Sequence, residues 1–470
     1  MVFSSQIFLF LFLPVALMGY YLICKIEKGG AKNLWLLLAS ILFYAYGEPF
    51  FVYVLLFASV FNWFMSKLIS EKEGIRKNIC FIIGLAGNSI LLVSCKYTGF
   101  IIENVNTVFD LNITVPQLAL PIGISFFTFQ ALSYIIDIYR GDAEVARTPL
   151  QACLYLMFFP QLIAGPIIRY KSIANEIAVR RENIDDFSDG IGRLIIGIGK
   201  KVLIANVLGE TADLIFSGIL EESVALYWLG AFSYMLQIYY DFSGYSDMAI
   251  ELGRMFGFHF KENFNYPYIS KSITEFWRRW HISLGTWFKD YIYIPLGGSR
   301  VNKGRLISNL LIVWLLTGIW HGANWTFVVW GIYYFVFLTV EKIGKRQIEK
   351  IPEGIRYIMT ILIVLVGWII FRSDSIGNAV IYIQKMIGLK NTVVVNNISY
   401  LYFKENVVIL LIGIIFSFPL SKKLRESLEK YSVGKYFFEF GKCLGLAIIL
   451  MFSISFLVKG AYNPFIYFNF

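Results

Sequence analysis

The sequence predicts an all-α, polytopic integral membrane protein. Three observations carry this. Of the 470 residues 57% are apolar and only 16% charged, whereas soluble globular domains carry about a quarter charged residues. Apolar runs of helix-spanning length recur from end to end, and a backbone in lipid must satisfy its hydrogen bonds within the segment. The runs are continuous rather than alternating, which argues against an outer-membrane barrel.

Candidate spans are 6–23, 33–46, 50–66, 78–95, 115–136, 190–208, 225–257, 306–320, 324–340, 355–371, 407–420 and 436–458. Several fall short of the ~20 residues a straight crossing needs, so a thinned or protein-buried interior is expected there. The opening MVFSSQIFLFLFLPVALMGYY lacks a basic n-region and a small-residue cleavage site, and reads as a retained first membrane helix. The stretch Leu154–Ile167, LYLMFFPQLIAGPI, is apolar but carries Pro160, Gly165 and Pro166, and basic segments flank it on both sides. It is expected to be re-entrant or interfacial, buried in protein. Residues 261–305 are rich in Trp, Tyr and Arg, which suits an interface on the cytoplasmic side. There Ser272 or Thr274 opens a short helix carrying EFWRRWHISLGTWF, and PLGGSRVNKG is a turn. One membrane-embedded domain over 1–470 is expected.

Charge orients the spans. Lys25, Lys28 and Lys32, then Lys72, Arg76 and Lys77, then Arg140 and Arg147, then Lys342, Lys345 and Arg346, and finally Lys422, Lys423 and Arg425 fall on one side if both termini face outward. The loops ENVNTVFDLNITVPQ and ETADLIFSGILEES are acidic or neutral and fall on the other. The basic loops therefore belong in the cytoplasm. The net charge of +10 is an orientation signal rather than a nucleic-acid footprint. Five scattered cysteines form no CxxC pair and suggest neither a zinc site nor a disulfide framework. No metal is expected.

The chain has three histidines. His321 lies in LLTGIWHGANWTF, inside a stretch from Leu306 to Val340 without Asp, Glu, Lys or Arg. An ionisable group at membrane depth is a functional candidate by default; the plain alternative is a neutral core histidine bonded to a carbonyl. Gly318, Gly322 and Asn324 around it suggest a broken helix lining an aqueous tunnel. His281, in FWRRWHISLG, would share a helix face with Trp277 and Gly285. It reads equally as a structural or a functional residue among interfacial tryptophans. Arg278 and Arg279 are candidates for a donor's phosphates or for lipid headgroups. His259 reads as interfacial. Asp241 and Asp247 lie in an apolar run beside Tyr240, either as a proton or ion path or, more simply, as hydrogen-bonded scaffolding. GIGKK, 197–201, lacks the glycine spacing of a P-loop.

No nucleophile elbow is present. A histidine near neutral pH can take a proton from a hydroxyl, which then attacks an activated acyl group. A water-poor passage would bring the two substrates together.

EFWRRWHISLGTWFKDYIYIPLGGSR, LTGIWHGANWTFVVWGIYY, QIYYDFSGYSDMAIELGRMFGF and the opening MVFSSQIFLFLFLP resemble the membrane-bound O-acyltransferase (MBOAT) family over nearly the whole chain. The branch resembled is that of the bacterial alginate O-acetylation membrane proteins and their peptidoglycan and exopolysaccharide relatives. The resemblance implies a ring of tilted helices around a central tunnel. It places the family histidine on His321 and the second family position, histidine or asparagine, on His281. It implies acetyl transfer from cytoplasmic acetyl-CoA toward the outer face of a bacterial cytoplasmic membrane, with no bound cofactor. The partners implied are membrane lipid, acyl-CoA, a secreted or membrane-anchored acetyltransferase, and polysaccharide synthesis machinery. Trp277, Arg278, Arg279, Trp280, Asn324, Tyr240 and Asp241 are the candidate donor- or substrate-binding residues. Two other readings stand beside this one: D-alanyl or other acyl transfer to teichoic acid or peptidoglycan, and a proton-coupled transporter using Asp241, Asp247 and His321.

Overall fold

The computed structural model describes the chain except residues 27–29, 117, 391, 429–431, 461 and 465–470. The basic residue Lys28 lies outside the described residues, as do the side chains of Lys422 and Arg425. Among the described residues the regular structure is helical, without strands. Among the described residues seven helices are long and apolar enough to cross a membrane. The protein is a polytopic α-helical membrane protein, as predicted. It divides into two compact units, Met1–Leu194 with Tyr245–Lys261, and Ile195–Gly244 with Glu262–Phe470.

In the first unit, α1 (Leu13–Ile26) follows a π-helical turn, and α2 (Gly30–Ala45), α3 (Phe51–Glu71) and α4 (Gly74–Lys96) succeed it. The next predicted span begins late. The described residues among 115–123 are not helical, and α5 runs Ile124–Arg140. Pro116 and Pro121 cannot donate to a helix, and Gly123 turns the chain at φ +79°. A β-carbon on Gly123 would sit 2.7 Å from the Leu162 carbonyl oxygen. Most of α5 is buried, so this short helix lies inside protein rather than crossing lipid alone. The stretch 152–168 is buried throughout. Its helix α6 (Pro149–Met157) stops at Phe158, ahead of Pro160, the broken, protein-buried segment the prolines predicted. A helix, Thr98–Phe109, occupies ground read from sequence as part of a loop.

The second unit contains the π-helical turn Lys200–Ala205, α7 (Asn206–Phe216) and most of α8 (Val224–Met255). α9 (Ile273–Arg279) and α10 (Ile282–Phe288) are short. α11 (Lys303–His321), α12 (Trp325–Ile343), α13 (Glu353–Arg372), α14 (Asn397–Phe416) and α15 (Ser432–Val458) are long. α11 and α12 form a hairpin. α11 ends at His321, Gly322 is extended, and the Asn324 side chain caps α12 by accepting from Thr326 N at 3.0 Å. The break therefore falls where the glycines and the asparagine placed it.

Two glycines let this hairpin close to backbone contact. A β-carbon on Gly318 would lie 2.3 Å from the Phe327 carbonyl oxygen, and one on Gly331 2.4 Å from that of Trp314. Small residues at such crossings are how membrane helices approach closely. Gly318→Ala is expected to wedge the hairpin apart and to cost about 1–3 kcal/mol. The check is the thermal midpoint of the purified protein in detergent; an unchanged midpoint would contradict this contact.

Candidate active site

His321 is the last residue of α11, and only 5% of its surface is exposed. Three aromatic rings stand edge-on to its imidazole with centroids 5.0 Å away: Trp320, Trp330 of α12 and Phe371 of α13. Each is set by its helix. Gly367 tucks against the Tyr334 hydroxyl, and Tyr333 Oη donates to the Ile363 carbonyl at 2.8 Å. These contacts seat α13 on α12 and bring Trp368 and Phe371 over Trp330.

His281 comes from a different part of the chain and also packs against Trp320, with ring centroids 6.0 Å apart. It is buried, 2% exposed, with Phe242 of α8 edge-on at 4.6 Å. The two histidines, 40 positions apart in sequence, thus both pack against one indole within one unit.

The local backbone at His281 differs from the sequence expectation. EFWRRWHISLGTWF does not form one helix. It breaks between α9 and α10, and His281 itself takes the left-handed conformation, φ +45°. Trp277, His281 and Gly285 therefore do not form a single-helix stripe. The break is held by the segment around Asn263. Asn265 N donates to the Arg279 carbonyl and Ile282 N to the Asn263 carbonyl, both at 2.9 Å. Groups that a continuous helix would bond internally are satisfied from outside it.

Asn263 also fixes the imidazole. Its Oδ1 accepts from Ser283 N at 3.1 Å and Ser283 Oγ at 2.9 Å, which identifies that atom as the oxygen, since a backbone N–H can only donate. His281 Nδ1 lies 3.1 Å from the same oxygen and must be the protonated nitrogen. The lone pair of the neutral ring is thereby assigned to Nε2. Burial pushes the His281 pKa down to about 3, so the ring is neutral across the physiological range.

The other candidates sort by their contacts. Trp277 and Trp280 join the aromatic cluster: Trp277 lies 5.4 Å from Trp330, and Trp280 lies 4.8 Å from Trp368. α9 is pinned at its start by Glu341 of α12, which accepts from Thr274 N at 2.8 Å and Thr274 Oγ1 at 2.7 Å. Ser272, not Thr274, is its N-cap. Arg279 pairs with Glu275 at 2.9 Å and donates to the Asn265 carbonyl, whereas Arg278 is exposed. Asn324 uses both ends of its amide on scaffold, the cap of α12 and a donation to the Asp374 carbonyl at 3.0 Å. Tyr240 Oη donates to the Gly413 carbonyl at 2.6 Å. Asp241 is buried in an ion pair with Lys201 at 2.7 Å. Asp247, in the first unit, pairs with Arg193 at 2.7 Å. Each aspartate has its own cation, the pattern of a polar scaffold. His259, also in the first unit, sits between Glu176 and Asp186.

Residues absent from the sequence reading are Asn263, Ser283, Trp330, Glu341 and Phe371. Asn263 sits in a polar loop, KENFNY, where asparagine is ordinary, so nothing local marked it.

The model of the membrane-bound O-acyltransferase family matches residues 147–373, a span that contains both histidines, Asn263, Trp330 and Phe371. A probable alginate O-acetylase, AlgI, of Pseudomonas aeruginosa is 42% identical over 80% of this chain and 73% of its own. The chain belongs to the membrane-bound O-acyltransferase family. This MBOAT protein is also 31% identical, over its full length and 98% of the relative, to a peptidoglycan O-acetyltransferase of Helicobacter pylori. A teichoic acid D-alanyltransferase of Bacillus subtilis is 29% identical over 49% of the chain and 60% of the relative. The MBOAT protein is therefore an acyltransferase, and the transporter reading gives way.

Proposed function

We propose that this acyltransferase takes an acetyl group from cytoplasmic acetyl-CoA and passes it toward the outer face of a bacterial cytoplasmic membrane, for O-acetylation of a cell-surface polysaccharide. The observation that carries the chemistry is the pair of buried histidines packed against Trp320. Relatives named for O-acetylation of alginate and of peptidoglycan support acetyl as the acyl group and a polymer as its destination.

In this reading His321 is the general base. Its imidazole takes the proton of an acceptor hydroxyl as the oxygen attacks the acetyl carbonyl. The tetrahedral intermediate collapses, the C–S bond breaks, and the thiolate leaves as CoA, taking the proton back from the imidazolium. The aromatic surroundings exclude water, which strengthens the electrostatics of the step and suppresses hydrolysis of the thioester. His281, neutral and locked in one tautomer, offers Nε2 as an acceptor that orients a substrate hydroxyl or amide. Arg278 is a candidate contact for the donor's phosphates. A secreted or membrane-anchored acetyltransferase completes delivery to the polymer alongside the polysaccharide synthesis machinery.

The test is purified protein in lipid vesicles with acetyl-labelled acetyl-CoA, with and without hydroxyl acceptors. Release of CoA with transfer of label is the expected result. Absence of CoA release with every acceptor, alongside turnover of a D-alanyl thioester, would overturn acetyl as the group carried.

A further inference from the structure

Resting on the reading that His321 carries the transfer, we propose that Asp213 is a positioning residue for it, joining the segment after the last helix to the end of α13. In short, an Arg372–Asp213–Tyr462 tether holds Phe371 against the catalytic imidazole.

Phe371 and Arg372 are the last two residues of α13. The Phe371 ring stands against the imidazole, and Arg372 reaches away to α7. There Arg372 Nη2 donates to Asp213 Oδ1 at 2.6 Å. The same guanidinium lies over the rings of Phe216 and Tyr234, 5.6 and 5.9 Å from their centroids. A guanidinium held by a carboxylate and two ring faces has little freedom. The end of α13, and with it Phe371, is fixed laterally by a residue 159 positions earlier in the chain.

The second oxygen of Asp213 is engaged as well. Tyr462 Oη donates to Asp213 Oδ2. The two residues that follow continue along the same stretch. Asn206 Nδ2 donates to Asn463 Oδ1 at 3.1 Å, and Lys201 Nζ donates to the Pro464 carbonyl. Successive residues 462, 463 and 464 meet 213, 206 and 201, so the segment lies antiparallel along α7 and the π-helical turn before it. Gly209 lies under both Gln237 and the segment; a β-carbon there would stand 2.6 Å from Gln237 Nε2 and 3.3 Å from the Tyr462 ring. Lys201 is itself fixed by Asp241 at 2.7 Å. Asp213 thus receives a strap on one oxygen and the end of α13 on the other.

A misplacement of about 1 Å at a reacting group can cost on the order of 100-fold in rate without loss of binding. A displaced Phe371 acts on His321 in this way, because it forms one of the three walls that orient the imidazole. The change belongs in kcat. The donor's KM, set by the groups that grip CoA, stays put.

The experiment compares wild type, Asp213→Ala and Asp213→Glu in vesicles with acetyl-CoA. Asp213→Ala is expected to lower kcat about tenfold with KM within twofold and unchanged membrane yield. Asp213→Glu keeps a carboxylate that can accept from both Arg372 and Tyr462 and is expected to hold kcat to within about threefold of wild type. A wild-type kcat in Asp213→Ala, a loss confined to KM or yield, or an Asp213→Glu no faster than Asp213→Ala would overturn the tether. A readout that needs no donor is hydrogen exchange of the amides of 368–374, expected to quicken in Asp213→Ala. If wild type fails to turn over acetyl-CoA, the functional reading falls, and exchange alone decides the tether: unchanged exchange overturns it.

Discussion

Replacing His321 by alanine is expected to abolish acyl transfer while the protein still reaches the membrane folded. A general base contributes about 100- to 10,000-fold to a rate, and the rings that stand edge-on to the lost imidazole, those of Trp320, Trp330 and Phe371, cannot take up a proton at neutral pH. These rings also predict a modest stability cost, because alanine leaves a small space among them. His321→Gln separates the two effects. Glutamine fills most of the volume and keeps a polar end but cannot accept a proton at neutral pH, so its midpoint should approach wild type while CoA release falls about 100-fold or more. CoA release above a tenth of wild type in either variant would remove His321 from the mechanism.

His281 should divide differently between its two neutral substitutes. Alanine removes the Nδ1–H that Asn263 accepts and leaves an ordinary side chain at φ +45°. Asparagine tolerates that backbone and can donate its amide to the same oxygen. CoA release is expected to fall about 100-fold in His281→Ala, within the range of a lost positioned group. It should stay within about tenfold of wild type in His281→Asn. Equal losses in the two would contradict an orienting role.

A pH effect follows from the same site. Burial holds the folded pKa of His281 at about 3, below its unfolded value of about 6.5. Between these values the unfolded chain binds a proton that the folded one does not. Stability is therefore full above about pH 6.5 and falls as the pH drops toward 3, by up to ~1.4 kcal/mol per unit. The midpoint should drop further between pH 8 and pH 5 in wild type than in His281→Asn, and equal drops would count against a buried neutral ring.

Much of the fold was legible because lipid leaves a chain few options. The runs that became α3, α4, α12 and α13 needed only length and hydropathy. Gly318, Gly322 and Asn324 marked the hairpin break after His321, and Pro160 with Gly165 and Pro166 marked the buried break near 158. What escaped was set by distant partners. The break at Trp280–His281 has no glycine or proline to announce it; it exists because Asn263 and Asn265 satisfy its backbone from outside. Asn324 and Arg279 looked available for substrate in sequence, yet each is held by a neighbouring carbonyl or carboxylate. The Asp213–Arg372 pair spans 159 positions, a separation that no local pattern records. Both histidines were visible as polar exceptions in apolar or aromatic surroundings, but their convergence on Trp320 was not.

The claim on which the mechanism depends is that these two histidines serve one site. A double-mutant cycle on kcat, with His281→Ala, a slow but measurable His321 variant such as His321→Gln, and the two combined, tests it most directly. If both imidazoles act on the same transfer, the double variant should be scarcely slower than the His321 variant alone. Losses that multiply, each at its full single-variant value, would show that the two imidazoles act independently of one another and contradict the account.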